Sequence, residues 1–235
     1  MLTNKHIEII KSTIPLLENA GSALTSHFYQ RLFSHHPELQ DIFNMANQKT
    51  GRQQVALFQA IAAYAKNIEN LSALTSAVER IAQKHTSFNI QADHYAIVGH
   101  HLIETLRELA TEAFTPDVED AWTNAYQFLA SIFINREAEL YQQRSAEVGG
   151  WQGARVFKVI DTVIESALVK SFVFSPIDQG PVIGFTPGQY LGLEVKPTGN
   201  DYKEIRQYSL SNKPNGRDYR ISVKREKQGV PGKVS

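Results

Sequence analysis

The segment KHTSFNIQADHY, residues 84–95, sets His85 at the end of one helical pattern and Tyr95 at the start of the next. A surface turn has little use for the pair, whereas a metal held from one side would use both. Histidines occur at 6, 27, 35, 36, 85, 94, 100 and 101. The pairs 35/36 and 100/101 are adjacent, so on a helix their side chains diverge by about 100° and cannot clasp one ion. Neither H-x-x-x-H nor H-E-x-x-H occurs, which leaves zinc chemistry of that kind without support. The chain has no cysteine. Disulfides, thiolate zinc sites, cysteine-ligated iron–sulfur clusters and haem attached through C-x-x-C-H are therefore excluded. A histidine taken singly is usually solvated or bonded to backbone, so any special role for His85 has to come from its surroundings.

Those surroundings divide into two periods. Up to about residue 145 the apolar spacing is helical. One helix is predicted through SALTSHFYQRLFSHHPEL, stopping before Pro37, and another through GRQQVALFQAIAAYAKNI, with Val55, Phe58, Ala62 and Ala65 repeating. A third runs through QADHYAIVGHHLIETLRELATEAF, with Asp93 as its N-cap and Tyr95, Val98, Leu102, Leu106 and Leu109 on one face. A long fourth helix starts at Thr115–Pro116 and continues through Trp122, Leu129, Phe133, Glu137 and Leu140. QRSAEVGGWQG then interrupts, and the period becomes two. RVFKVIDTVIES, LVKSFVFSP, GQYLGLEVKP, RQYSLSN and YRISVKRE read as short antiparallel strands of a small barrel. The expected organisation is a helical domain over 1–145, a linker over 146–150 and a partial β-barrel over 151–235. The last part is expected to be cut short, because a barrel ending directly after a strand leaves an open edge.

The composition adds little beyond this. Basic and acidic residues balance at 24 each, so nothing directs the chain to nucleic acid or to an anionic membrane. The N-terminus MLTNKHIEIIKSTIPLLENAG is amphipathic and carries charges, unlike a signal peptide. With no apolar window long enough for a membrane span, the expected location is cytoplasmic. QGVPGKVS is no phosphate loop, because Val234 stands where Ser or Thr is required.

The order of these landmarks resembles the bacterial flavohaemoglobins, which join an all-α globin to a flavin domain of the ferredoxin-reductase type. SHFYQRLF supplies Tyr29, similar to the family's distal tyrosine, and DIF supplies Phe43, matching the residue that packs on the haem. GRQQVALFQAI supplies Gln53 as distal polar residue and Leu57 as its apolar neighbour. AQKHTSFNI supplies His85 as proximal iron ligand, with Tyr95 and Glu137 as its partners. In the β half, Arg206-Gln207-Tyr208-Ser209 looks like the R-x-Y-S flavin motif, and Tyr190 in FTPGQYLGLEV stands where the family has a flavin-contacting tyrosine. Gly232, Val234 and Ser235 match a region that cradles the flavin diphosphate.

The resemblance implies haem b held by His85, FAD retained weakly or lost in a shortened barrel, and NAD(P)H used only by intact members. The chemistry is coherent. Imidazole is the usual axial donor where a gas binds opposite, and a carboxylate behind it fixes its tautomer and strengthens it. A distal tyrosine hydroxyl donates a hydrogen bond to an oxygen ligand, while Leu57 and Phe43 keep the pocket narrow. The implied parent activity is nitric oxide dioxygenase, with O2 and NO as small-molecule ligands and catalytic roles for Tyr29, Tyr95 and Glu137. No G-x-G-x-x-G follows the strands, so electrons are expected from an external reductant or reductase. An oxygen-binding or oxygen-sensing module without turnover, and a peroxidase-like haem enzyme, are the alternatives.

Overall fold

The computed structural model describes residues 2–43, 48 and 51–225. Contacts divide the chain into two units, one of Met1–Gln83 and Ile90–Arg136 and the other of Lys84–Asn89 and Glu137–Ser235. The described helices are α1 (Asn4–His35), α2 (Arg52–Lys66), α3 (Thr75–Ser87), α4 (Ala92–Ala110) and α5 (Pro116–Ala146).

In the first unit, α1 opens on a capping box in which Thr3 Oγ accepts from the His6 amide at 3.2 Å. It is two rods, bent at Gly21, whose φ of +53° is costly for any residue with a Cβ. The chain leaves α1 at His36, and Pro37 begins a separate 3₁₀ turn, Pro37–Asp41, as a proline at that place requires. Ile10, Leu17, Leu24, Phe28 and Leu32 of α1 form the core with Leu102, Leu106, Trp122 and Ala125. The polar tips of its large aromatics are satisfied: Trp122 Nε1 donates to Thr13 Oγ at 3.1 Å, and the Tyr64 hydroxyl donates to the Ala125 carbonyl at 2.9 Å. Thr115 precedes Pro116 and accepts from the Val118 amide, as expected of the α5 cap.

Three details differ from the sequence pattern. Gln91, not Asp93, is the N-cap of α4, and Asp93 lies in its first turn, where an acidic side chain suits the helix dipole. Leu109 is 46% exposed, and the buried stripe of α4 runs instead through His101, Leu102, Thr105 and Leu106. Val55 is 44% exposed, and α2 buries Tyr64 and Ala65 near its end.

The second unit contains β1 (Phe157–Ile164), β2 (Val169–Pro176), β3 (Tyr190–Val195), β4 (Glu204–Ser209) and β5 (Tyr219–Lys224). All five expected strands form. They make an antiparallel sheet of order β1-β2-β5 and a β3-β4 hairpin, joined by a bridge between Leu210 and Ile221. The sheets do not close into a barrel among the described residues. Tyr219 is the hub of the core, with its ring 5.8–6.4 Å from those of Phe157, Phe185 and Trp151 and its hydroxyl donating to the Ile183 carbonyl at 2.9 Å. Strand β1 is an edge of its sheet, with Val159, Ile160 and Ile164 exposed.

Within the first unit, His101 is 2% exposed and its ring centroid lies 5.0–5.3 Å from those of His100, His35 and His36. Arg31 beside them is paired with Glu108 and, at 3.7 Å, with Glu104. Burial lowers the His101 pKa to about 4, and His100, Arg31, His35 and His36 push it the same way. The unfolded chain takes up this proton below about pH 6.5, but the folded chain does so only near about 4. Stability therefore falls as pH drops through that window and levels off below it. His101→Gln is expected to flatten this part of the pH dependence of the urea midpoint; an unchanged slope would show that His101 carries none of it.

Candidate functional site

The first unit gathers the distal set. Tyr29 is buried on α1, between Phe28 at 5.0 Å and Phe33 at 5.8 Å between ring centroids, with Phe43 edge-on at 5.6 Å. Burial pushes the Tyr29 pKa well up, and hydrogen bonding with Gln53 and Gln48 only partly offsets this. The hydroxyl thus keeps its proton at every physiological pH and can act as a donor. Gln53 and Leu57 are four residues apart on α2, hence on one face. Leu57 packs against the core, and Gln53 Oε1 is buried with no partner among the described residues. A buried carbonyl oxygen left without a donor is uncommon and suits a position that a ligand or water completes. Gln48, hydrogen-bonded with Tyr29 and accepting from the Gln54 amide at 2.8 Å, carried no signal in the sequence. Tyr95, also in this unit, stacks on Phe133 at 6.3 Å, and its carbonyl accepts from the Tyr126 hydroxyl at 2.6 Å.

The second unit holds the His85 environment. His85 is in the last turn of α3, with Nδ1 2.8 Å from Glu137 Oε1. Glu137, on α5, is 3% exposed. A carboxylate can only accept, so the shared proton belongs on Nδ1, and Nε2 is left with the lone pair that a metal would take. Thr86 is held as well, accepting from Arg144 Nη1 at 2.8 Å. Tyr141 lies nearby on α5; burial and then the Glu137 charge push its pKa up, against a smaller pull from Arg144. Arg144 and Tyr141 were not foreseen, since on a long amphipathic helix neither stands apart from its neighbours.

The β3-β4 hairpin distributes the R-x-Y-S residues over both of its faces. Tyr190 pairs with Ser209 and Gly192 with Gln207, so these four share one side. Arg206 and Tyr208 point to the other. The Arg206 guanidinium donates to Glu204 and to the Ile205 carbonyl, while Tyr190 is 40% exposed. Gly232, Val234 and Ser235 lie outside the described residues.

The globin family profile matches residues 26–133. A flavohemoprotein of Vibrio cholerae is 68% identical over 237 residues, an alignment covering 100% of this chain and 60% of that protein. The chain belongs to the globin family, and along its whole length it is similar to a flavohemoprotein. Among solved structures, a flavohemoglobin from Malassezia yamatoensis with bound FAD and heme is similar over 98% of this chain and 59% of its own, with a TM-score of 0.87 and 27% identity. A bacterial globin from Campylobacter jejuni covers 60% of this chain and 99% of its own, at 37% identity and a TM-score of 0.57. The chain thus spans about 60% of the length of the flavohaemoglobins it matches.

Because Glu137 is the acceptor for His85 Nδ1, its replacements should separate hydrogen bonding from packing. Glu137→Gln keeps the shape and a carbonyl acceptor. Glu137→Leu leaves the imidazole N–H without one, and should lower unfolding free energy by about 1–3 kcal/mol more than the glutamine variant does. Equal losses in chemical denaturation would mean that packing alone is at stake.

Proposed function

We propose that this chain is the haem- and oxygen-binding part of a nitric oxide dioxygenase, organised as a globin over 1–145, a linker over 146–150 and a flavin-type barrel beginning at 151. The observation that carries the reading is the 2.8 Å bond from His85 to the buried Glu137 carboxylate, which presets the imidazole tautomer as an axial ligand requires. Similarity to flavohaemoglobins along the whole chain supports it.

The residues fit a haem. His85 would hold the iron through Nε2, with Glu137 behind it and Tyr95 as the further proximal residue. Phe43 and Leu57 would pack against the ring. Gln53 contributes the unpartnered oxygen, and Tyr29 a hydroxyl that does not ionise in the working range. Haem would supply an iron able to bind a diatomic gas and change oxidation state, and FAD, held weakly or lost here, would supply one-electron chemistry where it is retained. Around these groups the protein positions, shields and holds protons. Glu137 keeps the His85 proton on Nδ1 and increases the electron donation of the ring. Tyr29 directs its O–H toward the distal ligand and slows its escape, and the Phe28, Phe33 and Phe43 rings exclude water. The balance is NO + O2 + one electron giving nitrate, so the chain needs a donor. We assign that role to an external reductant or reductase, with NAD(P)H as the ultimate source in full-length relatives. On the hairpin, Tyr190, Tyr208 and Ser209 are the flavin contacts, with Gln207 beside them; Arg206 would meet the diphosphate on release from Glu204. The proposed location is the cytoplasm, and no described helix is long and apolar enough to cross a membrane.

The same His85–Glu137 bond favours one rival, a peroxidase-like enzyme in which the carboxylate drives cleavage of an O–O bond. Peroxide-dependent dye oxidation that survives Tyr29→Phe and disappears in Glu137→Gln would select it.

A visible spectrum of the purified chain, oxidised and then dithionite-reduced under CO, tests the main reading. A Soret band that moves with CO and is missing in His85→Ala is expected; a colourless protein after haem reconstitution would end it. Tyr29→Phe should release oxygen about 10- to 100-fold faster, the loss expected for one buried hydrogen bond, and NO consumption should fall with it. With the Tyr29 pKa pushed up, no titration of this effect is expected below about pH 10.

A further inference from the structure

His85, Thr86 and Ser87 are consecutive, and within the second unit each of their side chains is tied to a different residue. His85 meets Glu137 and Thr86 meets Arg144, both on α5. Ser87 meets the hairpin: Gln207 Nε2 donates to its Oγ at 2.6 Å. The Ser87 hydroxyl in turn donates to the Lys84 carbonyl at 2.7 Å, one of the α3 carbonyls that has no helical partner. The hydroxyl thus spends its single proton on the helix end and its lone pair on Gln207. No other arrangement of these three groups satisfies both bonds at once, because an amide nitrogen cannot accept.

A second observation is independent of this bond. Gly192, the cross-strand partner of Gln207, lies so close to the same turn that a Cβ on it would sit 2.4 Å from the Ser87 carbonyl oxygen. Its φ is not in the left-handed region, so the residue is small here for proximity and not for backbone conformation. Gln207 and Gly192 share their face of the hairpin with Tyr190 and Ser209. The turn that carries His85 therefore rests on the side of the hairpin from which two of the flavin-motif residues project.

We propose that Gln207 is a positioning residue for the axial imidazole, its amide holding the Lys84–Ser87 turn through Ser87 while Gly192 admits the close approach. Glu137 and Arg144 hold the turn from α5 and Gln207 holds it from β4, so the orientation of the His85 ring is set from both sides. The meaning of that orientation rests on the haem reading above; the clamp itself does not. The R-x-Y-S motif accordingly has two duties, flavin contact through its neighbours and alignment of the iron ligand through its second residue.

The test compares Gln207→Met, which keeps the length and loses the donor, with Ser87→Thr, which keeps the hydroxyl, and Gly192→Ala, all in the full 235-residue chain without added haem. Hydrogen exchange of amides 84–89 should be about tenfold faster in Gln207→Met, equivalent to about 1.4 kcal/mol. Gly192→Ala should accelerate the same amides, Ser87→Thr should leave them near the parent rate, and amides of β3 and β4 should be unchanged. The His85 imidazole nitrogen resonances, read by ¹⁵N NMR, should shift in Gln207→Met and not in Ser87→Thr. Unchanged exchange at 84–89, faster exchange spread through the hairpin, or unmoved His85 resonances would each overturn the proposal. These readouts need no cofactor, so a chain that takes up no haem refutes the functional reading and leaves the clamp to be judged on its own.

Discussion

The carboxylate of Glu137 is the most demanding group in the second unit. An ionisable side chain that is almost fully buried is costly unless its lone pairs are occupied. His85 meets part of that requirement, and in doing so has its own proton placed on Nδ1. The benefit is mutual: the helix end gains a rigid imidazole with a defined tautomer, and α5 can carry a carboxylate inside the protein. Thr86 and Arg144 repeat the arrangement one residue further along. The proposed axial role would depend on this, since an imidazole free to rotate or to exchange tautomers would be a poor axial ligand.

The distal set works by the opposite logic. Burial makes ionisation of the Tyr29 phenol unfavourable, and its neighbours Gln53 and Gln48 are uncharged. What remains is a neutral donor with a glutamine beside it whose carbonyl oxygen has no partner among the described residues. A neutral donor of this kind would discriminate among small ligands by hydrogen bonding and size, and would do so over a wide pH range. The buried His101, elsewhere in the same unit, shows the contrast. Surrounded by imidazoles and a guanidinium, it pays for its burial in reduced stability at acid pH, a cost confined to the fold and absent from the distal set.

The hairpin illustrates how a strand motif is read. Four consecutive residues look like one site when written in a line, yet a strand sends alternate side chains to opposite faces. Arg206 and Tyr208 therefore act on one side and Gln207 and Ser209 on the other. The second side is the one that meets the His85 turn, which links a flavin-type motif to that turn through a hydrogen bond and close packing.

Much of this was legible in the residues. The change from a period near 3.6 to a period of 2 located the end of the helices and all five strands, because burial of one face imposes those repeats wherever a core forms. The cap at Thr115–Pro116 and the stop before Pro37 were legible for the same reason: backbone sterics act locally. Asp93, Leu109 and Val55 were misread because a cap and a buried face are decided by what packs against the helix, and periodicity does not say which of several adjacent stripes that will be. The pairing of His85 with Glu137 could be expected from the order of family landmarks, but 52 residues separate them, and only the packing of α3 on α5 brings their atoms to bonding distance. Gln207 with Ser87, and Arg144 with Thr86, had no signal at all. Sequence determines which groups can donate, accept or ligate; tertiary structure decides which of them meet, because hydrogen bonds act over about 3 Å and no local pattern encodes a distance between remote segments.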